Sequence, residues 1–141
     1  MNESLHYLIM TDHFMFQKIL FSNIKNTDLT LGQPKVLDYL KDHDGAIQKD
    51  IASACHIEPA SLTAVLNGME KNELIERRMC NGNRRSIYIF LTDKGKDYAN
   101  LIENEFNKIE EISLQGFTEE EKNNLINYLS RIYENIHKSK S

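Results

Sequence analysis

The chain has 141 residues and a formal net charge of −4, which argues against a basic protein that coats nucleic acid nonspecifically. Hydrophobic residues make up 40% and charged residues 27%; no apolar run approaches the roughly 18 residues of a membrane helix, and the N-terminus lacks a basic secretion signal. Two cysteines, Cys55 and Cys80, make no disulfide framework, so we expect a protein of the reducing cytoplasm. Without a long apolar run, we expect no membrane partner.

The first half of the chain predicts three helices. Residues 4–24 carry apolar side chains on several faces, which indicates burial by more than one neighbour. After the turn residues of "KNTDLTLGQ", Thr30 is expected to cap a second helix that ends near "DHDG". A shorter helix follows in "AIQKDIASAC", where Ile47, Ile51 and Cys55 recur every four residues.

A tight turn then leads into a further helix. His56 occupies a turn position where the backbone is often left-handed, a region that His tolerates at modest cost. Pro59 stands in the first turn of "PASLTAVLNGMEKNELI", where the fixed backbone angle of proline suits a helix start. The residues expected to face inward are Leu62, Val65, Leu66 and Met69. Two short helices joined in this way are typical of a helix-turn-helix.

Two extended segments, "IERRM" and "SIYIFLT", flank the turn signal "NGN" and predict a β-hairpin. Residues 71–96, which include this hairpin, have a net charge of +4, whereas residues 1–70 and 97–141 each have −4. A polyanion would therefore be attracted to the hairpin region. The order of elements predicts a mainly α fold, a winged helix-turn-helix with a small β-hairpin as its wing.

The C-terminal part predicts two more helices. A long helix is expected from about Lys96, and Thr118 with Glu121 predicts a capping box at the start of the last helix. The apolar stripes of the terminal helices have no partner within so small a domain, so we expect a homodimer. The predicted interface residues are Leu5, Leu8, Ile9, Leu125, Leu129, Ile132 and Ile136.

In a winged helix-turn-helix the second helix enters the major groove of double-stranded DNA. No Lys or Arg lies between Pro59 and Met69, so this helix offers no bidentate contact to guanine, and its readout depends on smaller polar groups. Arginines at the hairpin tip suit a narrow, electronegative minor groove. The predicted DNA-binding residues are Gln48, Lys49, Ala60, Ser61, Thr63, Asn67, Arg77, Arg78, Asn83, Arg84 and Arg85.

The segments "IQKDIASACHIEPASLTAVLNGMEKNELIERR" and "NGNRRSIYIFLTDKGK" resemble the multiple-antibiotic-resistance regulator (MarR) family. The resemblance implies a homodimeric transcriptional repressor or activator, with a repressor favoured, that responds to a ligand or to redox state. It also implies a single domain over residues 1–141, with a DNA-binding lobe at 30–95 and a helical dimerisation region at 1–26 and 96–141. Arg85 matches the wing arginine of the family, whereas Asn83 and Glu73 stand where the family usually has Asp and Gly.

In that family, small aromatic molecules often bind between the dimer helices and the DNA-binding lobe. The resemblance implies a pocket here, and the first two predicted helices offer its lining. These candidate residues are His13, Phe16, Gln17 and Tyr39. No cofactor is implied.

Other functional classes have little support in the sequence. There is no phosphate-binding loop and no Gly-x-Ser-x-Gly elbow, so we expect no enzyme. The histidines lack close metal-ligand spacing, so we expect no metal site. Two alternatives stay open: a winged domain that binds protein, and a thiol- or metal-responsive regulator of the same fold. The thiol alternative depends on Cys80, whose pKa a nearby Arg78 would lower.

Overall fold

The structure, a computed structural model, describes residues 3–79 and 86–140. It contains six α-helices in the described ranges: α1 Leu5–Asn23, α2 Gln33–Asp42, α3 Gln48–Cys55, α4 Pro59–Lys71, α5 Asp93–Ser113 and α6 Glu119–Ser139. The strands are β1 Ala46–Ile47, β2 Ile75–Arg78 and β3 Tyr88–Leu91, and a short 3-10 helix covers Lys25–Thr27. The predicted fold class, mainly helical with a small antiparallel sheet in winged helix-turn-helix order, is confirmed.

The chain forms two compact units, Met1–Asn107 and Lys108–Ser141, with the division inside α5. The core of the first unit is aliphatic. Its fully buried side chains come from α1 to α5, the strands and the connections between them, and they include Leu20, Leu37, Leu40, Ile51, Leu62, Leu66, Met69, Leu74, Ile89 and Ile102. Ala52 is also buried, which lets α3 and α4 contact each other. This core fixes the helix-turn-helix against the sheet.

The sheet has three strands in the order β1-β3-β2, all antiparallel. β2 and β3 are the predicted hairpin strands, and Arg77 pairs with Ile89. On the other edge of β3, Ala46 also pairs with Ile89. Ala46 and Ile47 were predicted to begin the helix of "AIQKDIASAC", which is wrong: they form β1, whose two residues carry no strand periodicity of their own.

Two helix starts differ from prediction. Thr30 does not cap α2; the N-cap is Gly32, whose φ of 91° sets the chain direction, and the side chain of Gln33 accepts a hydrogen bond from the Thr30 backbone N–H at 3.1 Å. α5 begins at Asp93, three residues before the expected Lys96. It starts earlier because the Thr92 hydroxyl oxygen accepts a hydrogen bond from the backbone N–H of Gly95 at 3.0 Å, as an N-cap residue does.

The turn between α3 and α4 is left-handed at His56 as predicted, with φ 54° and ψ 49°. The His56 N–H bonds back to the end of α3, and the N–H of Ile57 donates to the Ala52 carbonyl at 3.0 Å. Glu73, where the family usually has glycine, is left-handed too, with φ 63°. Both residues occupy backbone conformations that cost an L-amino acid free energy.

In the second unit, α6 begins with the predicted capping box. The Thr118 hydroxyl accepts from the Glu121 N–H at 3.1 Å, and the Glu121 carboxylate accepts from the Thr118 N–H at 2.8 Å. Among the described residues, no side chain of α6 is buried. Of the predicted interface residues, Leu5, Ile9, Leu129 and Ile136 are exposed, and Leu8, Leu125 and Ile132 are half-buried.

Candidate nucleic-acid interface

The exposed side of α4 carries small and uncharged polar side chains. Leu62, Leu66 and Met69 bury the opposite side of the helix. The predicted contact residues Ala60, Ser61, Thr63 and Asn67 are all exposed, as is Ala64. Along the helix, Ala60, Ala64 and Asn67 share the centre of this side, with Ser61 and Thr63 on its two flanks. The side is therefore shaped for close approach to a surface rather than for charge neutralisation.

Gln48 at the start of α3 holds Thr63 in place. The Gln48 side-chain amide donates to the Thr63 hydroxyl at 3.0 Å, and that hydroxyl donates to the Pro59 carbonyl at 3.1 Å. Because the Thr63 proton is already used, its oxygen keeps acceptor capacity alone and its methyl group stays available for apolar contact. The two predicted contact residues thus act as one hydrogen-bonded group.

Arg77 of β2 contacts α4 directly. Its terminal nitrogen donates to Asn67 Oδ1 at 2.9 Å and forms an ion pair with Glu70 Oε1 at 3.3 Å. The Arg77 side chain is 21% exposed. Asn67 and Glu70 lie three residues apart on α4, so both reach the same guanidinium. The wing strand and the helix are joined by these side-chain bonds in addition to their backbone packing.

The neighbouring Arg78 has a different setting. It donates to Glu76 Oε2 at 2.8 Å, and its guanidinium lies 4.3 Å from the centre of the Phe90 ring. More than half of its side chain is exposed, so its charge remains close to solvent. Lys49 is exposed at the first turn of α3. Both cations are therefore accessible from solvent.

The tip of the wing lies outside the described residues. This concerns the predicted contact residues Asn83, Arg84 and Arg85, and also Cys80, on which the thiol-responsive alternative rests. All four predictions stay predictions.

A cavity of about 450 Å³ lies in the first unit, beside α4. Its lining includes His13, Gln17, Lys35, His56, Ser61 and Phe106. Two of the four residues predicted to line a pocket, His13 and Gln17, are present, whereas Phe16 and Tyr39 do not line this cavity. Tyr39 instead stacks on His43, with ring centres 4.3 Å apart. Ser61 contributes to both the cavity wall and the exposed side of α4.

Cys55 is buried beside this cavity wall, and its thiol donates to the Lys35 carbonyl at 3.5 Å. Burial raises the pKa of the Cys55 thiol, and the positive charge of Lys35 only partly offsets that effect. A protonated, buried thiol is a poor nucleophile. Within residues 3–79 and 86–140, no group of three or more His, Cys, Asp or Glu side chains could hold a metal ion. No described helix is long and apolar enough to cross a membrane.

Sequence reasoning missed Glu70 and the pairing of side chains across elements. Asn67 and Arg77 were both predicted to contact DNA separately, but the structure brings them within 2.9 Å of each other. The spacing of Asn67 and Glu70 on one helix face was visible in the sequence. Which arginine would meet that pair depended on how β2 lies against α4, and no local pattern encodes that.

Comparison with known proteins extends this picture. The sequence model of the MarR family matches residues 29–87, which span α2 to the wing. The HTH-type transcriptional regulator YybA of Bacillus subtilis (strain 168) is 31% identical over 117 residues, covering 82% of this chain and 78% of YybA.

Two solved structures superpose over nearly the whole chain. A MarR-family transcriptional regulator from Listeria monocytogenes, in complex with a 26mer DNA, has a TM-score of 0.90 at 27% identity; the match covers 99% of this chain and 92% of that one. The complex of MepR from S. aureus with DNA has a TM-score of 0.84 at 26% identity, with coverages of 96% and 99%.

Proposed function

The chain belongs to the MarR family of transcriptional regulators, and from that premise we propose that it is a repressor that binds an operator as a homodimer and is released by a small molecule. The observation that carries the proposal is the exposed side of α4, which presents small and polar groups beside a basic β-hairpin. Both solved relatives described above are bound to DNA.

On DNA, α4 enters the major groove, with Ala60, Ala64 and Asn67 toward the base edges. Thr63 offers a methyl group to thymine and an acceptor to a base donor. Lys49 and Arg78 approach phosphates, which position the protein without reading sequence. Arg85 inserts into the minor groove that flanks each half-site, where the potential is most negative in A·T-rich sequence.

A homodimer places two copies of α4 on one face of the duplex. The support for it is the exposed apolar surface on the terminal helices, with side chains of α1 such as Phe14 and of α6 such as Leu129 exposed in a single chain. Large exposed apolar patches mark association surfaces. A two-fold symmetric dimer reads a pseudo-palindromic site whose half-sites lie about 10 bp apart.

Release by a ligand is supported by the cavity beside α4. Its 450 Å³ is within the range of small-molecule sites, and Phe106 with the rings of His13 and His56 suits a small aromatic molecule. A ligand there touches Ser61 and the turn at His56, so it bears on the orientation of α4. An effector of this kind acts only if it binds the DNA-free conformation more tightly.

The proposal is tested with sites selected from fragmented genomic DNA, followed by affinity measurements against salt. We expect a pseudo-palindromic motif and a salt-dependent Kd, with Arg85→Ala weakening binding by roughly tenfold and reducing the preference for A·T-rich flanks. Arg84→Ala serves as the matched control, because loss of a phosphate contact weakens all sequences alike. Selection of no motif, with no salt-dependent binding, would contradict the proposal and leave a protein-binding winged domain.

A further inference from the structure

The contact between Arg77 and Asn67 fixes which way the Asn67 carboxamide faces. A guanidinium has only donors, so the Asn67 atom 2.9 Å from it is the oxygen. The amide NH2 group therefore lies on the other side of the carboxamide. Normally an exposed asparagine can turn either atom toward a ligand, but here one of them is already committed to a bond inside the protein.

Arg77 is itself held firmly enough to impose this choice. Its backbone is part of the sheet, paired with Ile89, and its guanidinium also contacts Glu70 at 3.3 Å. Nε of Arg77 is buried and has no hydrogen-bond partner among the described residues, so the bonds of the terminal nitrogen to Asn67 and Glu70 are the ones that hold the guanidinium in place. The guanidinium is bonded to two side chains of α4, and the Arg77 side chain is only 21% exposed.

We propose that Arg77 is a positioning residue that makes Asn67 a hydrogen-bond donor toward DNA, and so sets the base that α4 prefers at one position. The inference rests on the proposed function, since it assumes that α4 reads DNA. It assigns Arg77 a role different from the direct DNA contact predicted from the sequence.

The donor and acceptor groups that each base presents in the major groove determine which base an Asn67 donor prefers. Guanine presents two acceptors, N7 and O6, and thymine presents the acceptor O4, so both suit a donor. Cytosine presents the N4 donor and is disfavoured. Adenine is read best by an asparagine that donates to N7 and accepts from N6 at once. Arg77 occupies one of the two lone pairs of Asn67 Oδ1, and the carboxamide cannot turn both Oδ1 and Nδ2 onto adenine without giving up that bond. We therefore expect the bidentate adenine contact to be disfavoured.

The experiment is site selection from a random duplex library with the full-length protein and four variants. Asn67→Ala identifies the position that this residue reads, because that position loses its preference. Arg77→Met removes the donors while keeping a long side chain, so the carboxamide becomes free to turn. Arg77→Lys keeps a donor on a flexible stem and tests for rescue. Arg78→Met removes an equal charge from the next residue of the same strand and is the matched control.

At the position identified, the unmodified protein is expected to select guanine or thymine. Arg77→Met is expected to shift the ratio of adenine to guanine there by about tenfold toward adenine, the size of one bidentate contact. Arg77→Lys is expected to restore part of the original preference. Arg78→Met is expected to weaken binding to all sequences and to leave the preference unchanged.

Two results would overturn the inference while leaving DNA binding intact. One is an Asn67→Ala motif identical to that of the unmodified protein, because Asn67 then reads no base. The other is an Arg77→Met motif with its preference unchanged and its affinity lowered on every sequence, as a phosphate contact predicts. If the unmodified protein enriches no motif at all, the proposed function itself fails, which is a separate outcome.

Discussion

Some individual non-glycine residues are held by the fold in left-handed backbone conformations that an L-amino acid disfavours. His56 is the C-cap of α3 and Glu73 lies two residues beyond the end of α4, and both are non-glycine residues with positive φ. The turn at Glu73 is held by two bonds: its N–H donates to the Glu70 carbonyl at 3.0 Å, and its carbonyl accepts from the Thr92 hydroxyl at 2.6 Å. Because those bonds are made by the backbone, the side chain is not needed for the turn.

Glu73→Gly should therefore stabilise the protein. Relief of the left-handed strain exceeds the added flexibility of the unfolded chain, and we expect the free energy of unfolding to rise by about 0.5–1 kcal/mol in urea denaturation. Glu73→Ala is the control, since it removes the same carboxylate but keeps Cβ. An equal gain from both variants would attribute the effect to charge and not to backbone conformation.

At the scale of elements, the starts of α5 and α6 depend on single hydrogen-bonding side chains. The Thr118 hydroxyl accepts the Glu121 N–H at 3.1 Å, an N–H that has no partner within the helix ladder. Thr92 does the same for α5. Each hydroxyl determines where the helix begins.

Removing one such hydroxyl should lower the free energy of unfolding by a predictable amount. Thr118→Ala is expected to lower the free energy of unfolding by about 1 kcal/mol, with a parallel fall in Tm by circular dichroism. Thr118→Ser retains the oxygen and should lose much less. If Thr118→Ser and Thr118→Ala lower the free energy of unfolding equally, the loss comes from the threonine methyl group and the cap contributes little.

Sequence reasoning succeeded where an element has its own periodicity or its own terminal signal. The helices, the two hairpin strands, the left-handed turn at His56 and the capping box at Thr118 are all of this kind. It failed for β1, which exists because β3 has an edge to pair with, and for Thr30, where Gly32 begins the helix instead. The candidate site follows the same division: the residues of α4 were identifiable, whereas the bonds from Gln48 to Thr63 and from Arg77 to Asn67 arise only from packing.

For the whole molecule, the apolar surface of α6 bears on whether two chains associate. Leu129 is 46% exposed, and nearby Tyr133 and Ile136 are also exposed in a single chain. Three large apolar side chains within eight residues of one helix leave more apolar area in water than isolated surface residues do. This surface supports the proposed homodimer.

Leu129→Asp is expected to dissociate the dimer, because burying an unpaired carboxylate at an interface costs several kcal/mol. Sedimentation equilibrium at micromolar concentration would then give a monomer mass for the variant and a dimer mass for the unmodified protein. Asn127→Asp places the same charge at an exposed polar position of α6 and should remain dimeric. A monomer mass for the unmodified protein would refute the dimer.

The pairing of β3 along both of its edges has a consequence for evolution. In an isolated hairpin, the length and chemistry of the connection set the register, so mutations there risk turning every strand residue to the wrong face. Here Ile89 is aligned with Ala46 on one side and with Arg77 on the other, and both Ile89 and Leu91 are buried. Alignment is thus enforced twice, away from the connecting segment. We therefore expect insertions and substitutions in that segment to leave the strands in register, so that the tip can change in evolution while the strands keep their alignment.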